Sequence, residues 1–192
     1  MYQSILSPTE GIYKEKGSKF LAFAYPVETE EEVKSYLEVL KKKYFDATHH
    51  CYAYILGAKQ EKWRANDDGE PNHSAGTPIL NQIKAKNISD VFVVVVRYFG
   101  GVKLGVSGLV NAYKTAAALV LDEAILLTKI PKKNIAIRYT YPETKEVMHI
   151  IHQYDIQIIN QEFDLFCQLQ LGIPSEKLNI VTEKLAKWIY QS

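Results

Sequence analysis

Cysteine is scarce: the 192 residues contain two, Cys51 and Cys167, and no CxxC pair. A disulfide framework and a cysteine-based structural zinc site are therefore not expected. Both cysteines sit in apolar, strand-like runs. Buried free thiols suit a reducing compartment, so a cytoplasmic location is expected. Long apolar runs are missing too. No stretch of about 18 or more apolar residues occurs, and the N-terminal MYQSILSPTEGIYKEKGSKF lacks a continuous apolar segment of the signal-peptide kind. No membrane partner is expected. Charge of one sign is also lacking. The chain sets 23 Lys and Arg against 22 Asp and Glu, a net +1. Residues 1–128 carry 15 of each sign, and residues 129–192 carry 8 basic and 7 acidic. Proteins that coat duplex nucleic acid usually show a clear basic excess, so any nucleic-acid contact here must come from a local patch.

The chain is 47% apolar and 23% charged, a balance that fills a core. Its length suits one large or two small domains. Residues 11–28 read as two extended pieces around Gly17. Thr29–Tyr44 reads as a helix: Thr29 and Glu32 form a capping box, Val33, Tyr36, Leu37, Leu40 and Tyr44 share a face, and Lys41, Lys42 and Lys43 crowd the end. His49–Leu56 alternates as a strand. A polar stretch to about Ser74 reads as one long loop, with Thr77–Pro78 capping the next helix. VFVVVV at Val91–Val96 is a buried central strand. A helix is expected from about Ser107 to Asp122, with Ser107 as its N-cap. The KIPKKN segment at Lys129–Asn134 is the best boundary. Beyond it, strand, helix, two strands and helix follow: a β-α-β-β-α half-sandwich lacking, or nearly lacking, its last strand. Cys167 is expected to alternate with Leu165 and Leu169 in its core. The fold class is α+β, with domains 1–129 and 130–192.

Three constellations could carry chemistry. The first is RYFGGVKLGVSGL, Arg97–Leu109, where a buried strand ends, glycines crowd and a helix begins. Gly100, Gly101, Gly105 and Gly108 permit close approach of a ligand or another backbone. The helix start at Ser107 offers free N–H groups, and Arg97 and Lys103 add charge, so the turn could hold a phosphate or carboxylate. It is neither a Walker loop nor a dinucleotide fingerprint, and glycines serving helix–sheet packing alone would look the same. The second is Asp67-Asp68-Gly69-Glu70-Pro71, followed by His73 and Gly76. Its carboxylates could hold a divalent cation such as Mg²⁺ or act as a base. Equally, Asp68-Gly69 could form a turn and an acid could pair with Arg64 or Arg97. The third is His49-His50. Adjacent strand residues face opposite ways, so the two do not ligate one ion together, but either could contact the acidic loop. His149 and His152 read as surface residues. No nucleophile–base arrangement stands out. No catalytic residue is assigned, and neither a resident metal nor a cofactor is expected.

The segments KGSKFLAFAYPV, ATHHCYAYILG, DDGEPNHSAGTPIL and VVVVRYFGGVKLGVSGLVNAY, in that order, resemble the IMPACT / YigZ family across about residues 11–125. The resemblance implies a first domain with the fold of ribosomal protein S5 domain 2, found also in elongation factor G domain IV. It implies a second, ferredoxin-like domain resembling elongation factor G domain V. Both relatives work on the ribosome. Eukaryotic members regulate translation initiation through an added RWD domain that is not found in this sequence, so that mode is not carried over. The family's motif residues map onto Asp67, Asp68, Gly69, Glu70, Pro71, Gly76, Pro78, Arg97, Gly100, Gly101, Gly105 and Gly108. One departure is Asn72-His73-Ser74, where members commonly carry smaller residues. The leading expectation is a translation-associated protein that contacts RNA or a ribosomal partner through the Arg97–Gly108 turn. An enzyme acting on a phosphorylated ligand with a divalent cation is the alternative. A third is a protein-interaction module docking by the open sheet face of the second domain, with Ala136, Arg138, Thr140, Phe166, Gln168 and Gln170.

Overall fold

The computed structural model describes residues 1–190. The chain divides into two units, Met1–Lys129 and a second from Ile130 onward, and the architecture is α+β. The first unit is built on a five-stranded antiparallel sheet of β2 (Thr9–Glu15), β3 (Ser18–Pro26), β4 (His49–Leu56), β5 (Lys62–Asn66) and β6 (Val91–Tyr98). Their order is β2-β3-β6-β4-β5. β6 is central, which is why its VFVVVV run is apolar on both faces. A separate two-stranded ribbon pairs β1 (Tyr2–Ile5) with β7 (Leu126–Lys129).

Each face of the large sheet has its own core. Phe20, Ala22, Cys51, Ala53, Val93 and Val95 pack with α2 (Gly76–Ala85) and α3 (Gly105–Asp122). Leu21, Phe23, Tyr54, Phe92 and Val94 face the other way and pack with Val33 and Leu40 of α1 (Glu30–Lys43). Period-two alternation thus puts successive residues of one strand into different cores. α1 begins at Thr29 with both halves of its capping box formed. Acids fill its first turn and Lys41, Lys42 and Lys43 its last.

Three expectations are corrected. The polar stretch before Ser74 is not one loop: β5 lies inside it, paired to β4 from Tyr52↔Asn66 to Leu56↔Lys62. It is an edge strand with Lys62, Trp63 and Arg64 exposed, so it lacks an apolar alternation. Thr77 does not cap α2, which starts at Gly76 with no side-chain cap of its own. Ser107 does not cap α3 either, lying within the helix two residues past its start at Gly105.

In the second unit, β8 (Lys132–Tyr139), α4 (Thr144–Gln153), β9 (Gln157–Phe163), β10 (Cys167–Pro174) and α5 (Leu178–Leu185) follow in the β-α-β-β-α order. The antiparallel sheet runs β8-β10-β9. Ile137, Tyr139, Leu169, Leu171 and Cys167 fill one face with Val147, Ile151, Val181 and Trp188. The missing last strand is reduced to one bridge, Ile137↔Ile189, with Tyr190 N–H donating to the Ala136 carbonyl. Leu165 is not core: it is 82% exposed at the β9–β10 turn. His149 and His152 lie exposed on α4.

Candidate functional site

The acidic loop and the glycine-rich turn meet at one end of the five-stranded sheet. β6 ends there, β4 starts there, and His49 pairs in register with Arg97. Arg97 has the same parity as Val93 and Val95, so its side chain points to the α2/α3 side, where it is 5% exposed. Its Nη1 donates to Glu70 Oε1 at 2.6 Å, and Glu70 is 8% exposed. Tyr113 of α3 donates its hydroxyl to the same oxygen at 2.8 Å. The His49 Nε2 stands 3.8 Å from it. Arg97 Nη2 reaches Ser18 Oγ at 3.4 Å, and Ser18 Oγ accepts from Gly100 N–H at 3.2 Å. Cys51 donates to the Asp67 carbonyl at 3.0 Å and lies 3.3 Å from the Tyr113 hydroxyl. Burial raises the pKa of the Cys51 thiol and, together with the neighbouring thiol, that of the Tyr113 phenol, so neither is an activated nucleophile.

Arg97 is thus a correction to the expected anion cradle. Its charge is taken up by Glu70 in the interior, and Lys103 alone of the two cations is exposed. Arg97 Nε and His50 Nε2 are buried and have no hydrogen-bond partner among the described residues. Burial also holds the His50 imidazole below its ordinary pKa.

The three loop carboxylates diverge. Asp67 Oδ1 accepts from Ala75 and Gly76 N–H at 3.0 and 2.8 Å, and Oδ2 accepts from His73 N–H at 2.9 Å. It thereby caps α2 from nine residues upstream, the role expected of Thr77. Asp68, at positive φ, accepts from His50 N–H at 2.6 Å through Oδ2 and lies 3.9 Å from Lys41. His49 Nδ1 contacts the Asp68 carbonyl at 2.7 Å, beside Gly69. Glu70 points inward. Among the described residues no three His, Cys, Asp or Glu side chains converge to hold a metal ion. His73 is exposed, with Nδ1 3.1 Å from Thr77 Oγ1.

The turn itself is anchored from below and open above. A Cβ on Gly100 would overlap the Gly17 backbone at the β2–β3 hairpin, so two glycine backbones stack there. Gly101 has φ +85 and open space around its Cα. Phe99, Val102 and Val106 are 48%, 52% and 56% exposed. Gly105 starts α3, Ser107 and Gly108 lie in its first turn, and neither a side-chain cap nor an acidic residue occurs there. Its first N–H groups and its positive dipole end are thus uncapped by side chains.

Charges of both signs gather around this end of the unit, with Asp46 accepting from the Tyr98 hydroxyl at 2.8 Å and Glu15 opposite Ser18 in the hairpin. Lys14 and Lys19 pair across the β2–β3 hairpin, Lys19 pairs in register with Tyr98, and Lys16 sits beside Gly17 at the hairpin tip. Lys41, Lys42 and Lys43 end α1 a few residues before β4, where Thr48 Oγ1 accepts from Phe99 N–H at 3.2 Å. Lys16, Lys19 and Lys103 flank the turn, and Lys41 faces Asp68 of the acidic loop at 3.9 Å. At the far end of the sheet, Glu28, Glu30, Glu31 and Glu61 line a cleft at the start of α1. The sequence points to Lys103 but not to the hairpin lysines, because register brings them beside residues about 80 positions away.

A family model described as the Impact N-terminal domain matches residues 16–121. Over 182 residues the chain is 30% identical to IMPACT family member YigZ of Escherichia coli (strain K12), covering 94% of this chain and 89% of that protein. It is 43% identical over 130 residues to an IMPACT family member of Thermus thermophilus, covering 68% and 69%. A crystal structure described as that of a hypothetical protein aligns with a TM-score of 0.81 at 29% identity, covering 97% of this chain and 91% of that one. A family model spanning more than half the chain, and a relative matched over nearly its whole length, place this protein in the IMPACT / YigZ family.

Proposed function

We propose that this protein is a translation-associated binding protein that contacts RNA, free or on the ribosome, through the lysine-flanked turn at Phe99–Ser107. Membership of the IMPACT / YigZ family supports a translation-associated role in general terms. The first unit is read as a ribosomal protein S5 domain 2-like fold and the second as elongation factor G domain V-like, and both point to the ribosome. The observation that carries the reading is the open turn at the end of β6, where exposed lysines stand beside an uncapped helix start. Lys16, Lys19 and Lys103 and an uncapped helix N-terminus flank an exposed, apolar turn, with the acids Glu15, Asp46 and Asp68 beside them. Lysines and a helix end suit phosphates, and Phe99 offers a face for a base. Binding is favoured over catalysis because Glu70, Arg97, Tyr113 and Cys51 are committed to one another in the interior.

The test is anisotropy of labelled RNA at two salt concentrations, with wild type and a Lys16→Gln/Lys19→Gln/Lys103→Gln variant. Wild type is expected to bind weakly at low salt, with affinity falling as salt rises. The variant should lose affinity and flatten the dependence on log salt by about 0.7 per lost single-strand phosphate contact. No binding at low salt, or equal slopes, would refute the reading.

A further inference from the structure

We propose that the open sheet face of the second unit is a stacking platform for single-stranded RNA, centred on Phe166, Arg138 and Tyr190. The proposal deepens the reading above, taking its ligand class from it and adding a second surface. Alternation sends Cys167, Leu169 and Leu171 to the helices and leaves Gln168 and Gln170 on the other side of β10. Register extends this side into one row across the sheet: Glu162 opposite Gln168, and Gln168 opposite Arg138. Tyr190 closes the row beside β8, its hydroxyl donating to Gln168 Oε1 at 2.7 Å.

The chemistry of the row is specific. The Arg138 guanidinium lies 4.7 Å from the centre of the Tyr190 ring and 5.8 Å from that of Phe166. Phe166 is 45% exposed, and Arg138 is exposed. An exposed planar cation beside two aromatic rings, one of them the half-exposed Phe166, offers flat faces on which unstacked bases stack. Asn160, Glu162, Gln168, Gln170 and Tyr190 line a shallow depression beside it. The side-chain amides of Asn160, Gln168 and Gln170 supply donors and acceptors for base edges, with Gln168 Oε1 already accepting from the Tyr190 hydroxyl. Lys132, exposed at the start of β8 with the parity of Arg138, adds positive charge for a phosphate strand while its Nζ donates to Gln157 Oε1 at 2.7 Å. Duplex RNA hides its base faces, so this surface selects single strands.

The experiment measures anisotropy of a fluorescein-labelled 12-nucleotide uridine-rich RNA and of the matching duplex, using the full chain. The variants are Phe166→Ala and Arg138→Met, with Lys16→Gln/Lys19→Gln/Lys103→Gln alongside. Both altered side chains are exposed, and an unchanged melting temperature confirms that each variant folds. Single strand is expected to bind more tightly than duplex. Phe166→Ala should weaken it about fivefold or more without changing the salt slope, since stacking is not a counterion effect. Unchanged affinity in both variants, with the lysine variant impaired, overturns this proposal and leaves the turn reading standing. Loss in Phe166→Ala and Arg138→Met with the lysine variant unaffected does the reverse. Equal affinity for duplex and single strand overturns the platform, and no RNA binding at low salt overturns both.

Discussion

Replacing Arg97 with methionine should unfold the first unit far more readily than replacing both Arg97 and its partner. In Arg97→Met, the Glu70 carboxylate keeps the Tyr113 hydroxyl but loses its counter-charge while 8% exposed. In Glu70→Leu, the Arg97 guanidinium keeps only the 3.4 Å contact with Ser18 among its side-chain hydrogen bonds. Removing one member of a buried ion pair costs about 3–5 kcal/mol. For a unit of this size that corresponds to a fall in Tm of roughly 12–20 °C. The double variant Arg97→Met/Glu70→Leu buries no unpaired charge. Its main deficit is the Tyr113 hydroxyl left without an acceptor, about 1–3 kcal/mol. The double should therefore be more stable than either single. Urea unfolding in a Trp188→Phe background reads this directly, because Trp63 on β5 is then the single tryptophan and reports the first unit. Single variants costing under about 1 kcal/mol, or a double whose cost equals the sum of the singles, would refute the assignment of a coupled buried pair.

Gly100→Ala should destabilise the protein more than Gly101→Ala. The first places a methyl group into the Gly17 backbone, whereas the second meets open space and bears mainly the left-handed φ of +85, about 1–2 kcal/mol. Urea midpoints check the order, and the reverse order would contradict the packing described. Stability should fall as pH drops below about 6.5, the ordinary histidine pKa. Burial lowers the folded-state pKa of His50, so the unfolded chain takes up that proton first; the contribution is complete above this range and is lost on acidification. His50→Phe should reduce the difference in urea midpoint between pH 7.5 and pH 5.5, and an unaltered difference would exclude His50 as its source.

Local pattern determined much of this protein. The capping box at Thr29, the alternation in His49–Leu56, the buried run at Val91–Val96 and the renewed pattern after Pro131 each depend on neighbours within a few residues. Period and capping are local physics, so they are legible in one dimension. β5 was not legible because an edge strand whose Lys62, Trp63 and Arg64 are all exposed needs no apolar alternation. The α2 cap was misplaced for a related reason: Asp67 reaches the helix start across a loop, and a nearer Thr77 satisfies the same sequence rule. The turn at Arg97–Leu109 was visible as a glycine-rich strand-to-helix junction beside an acidic loop. Only tertiary structure decided what its charges do. Strand parity turns Arg97 inward onto Glu70, whereas pairing of β3 with β6 and the end of α1 bring lysines to the outside. A charged side chain reads the same in sequence whether water or a buried partner solvates it, and that difference separates a structural ion pair from a binding surface.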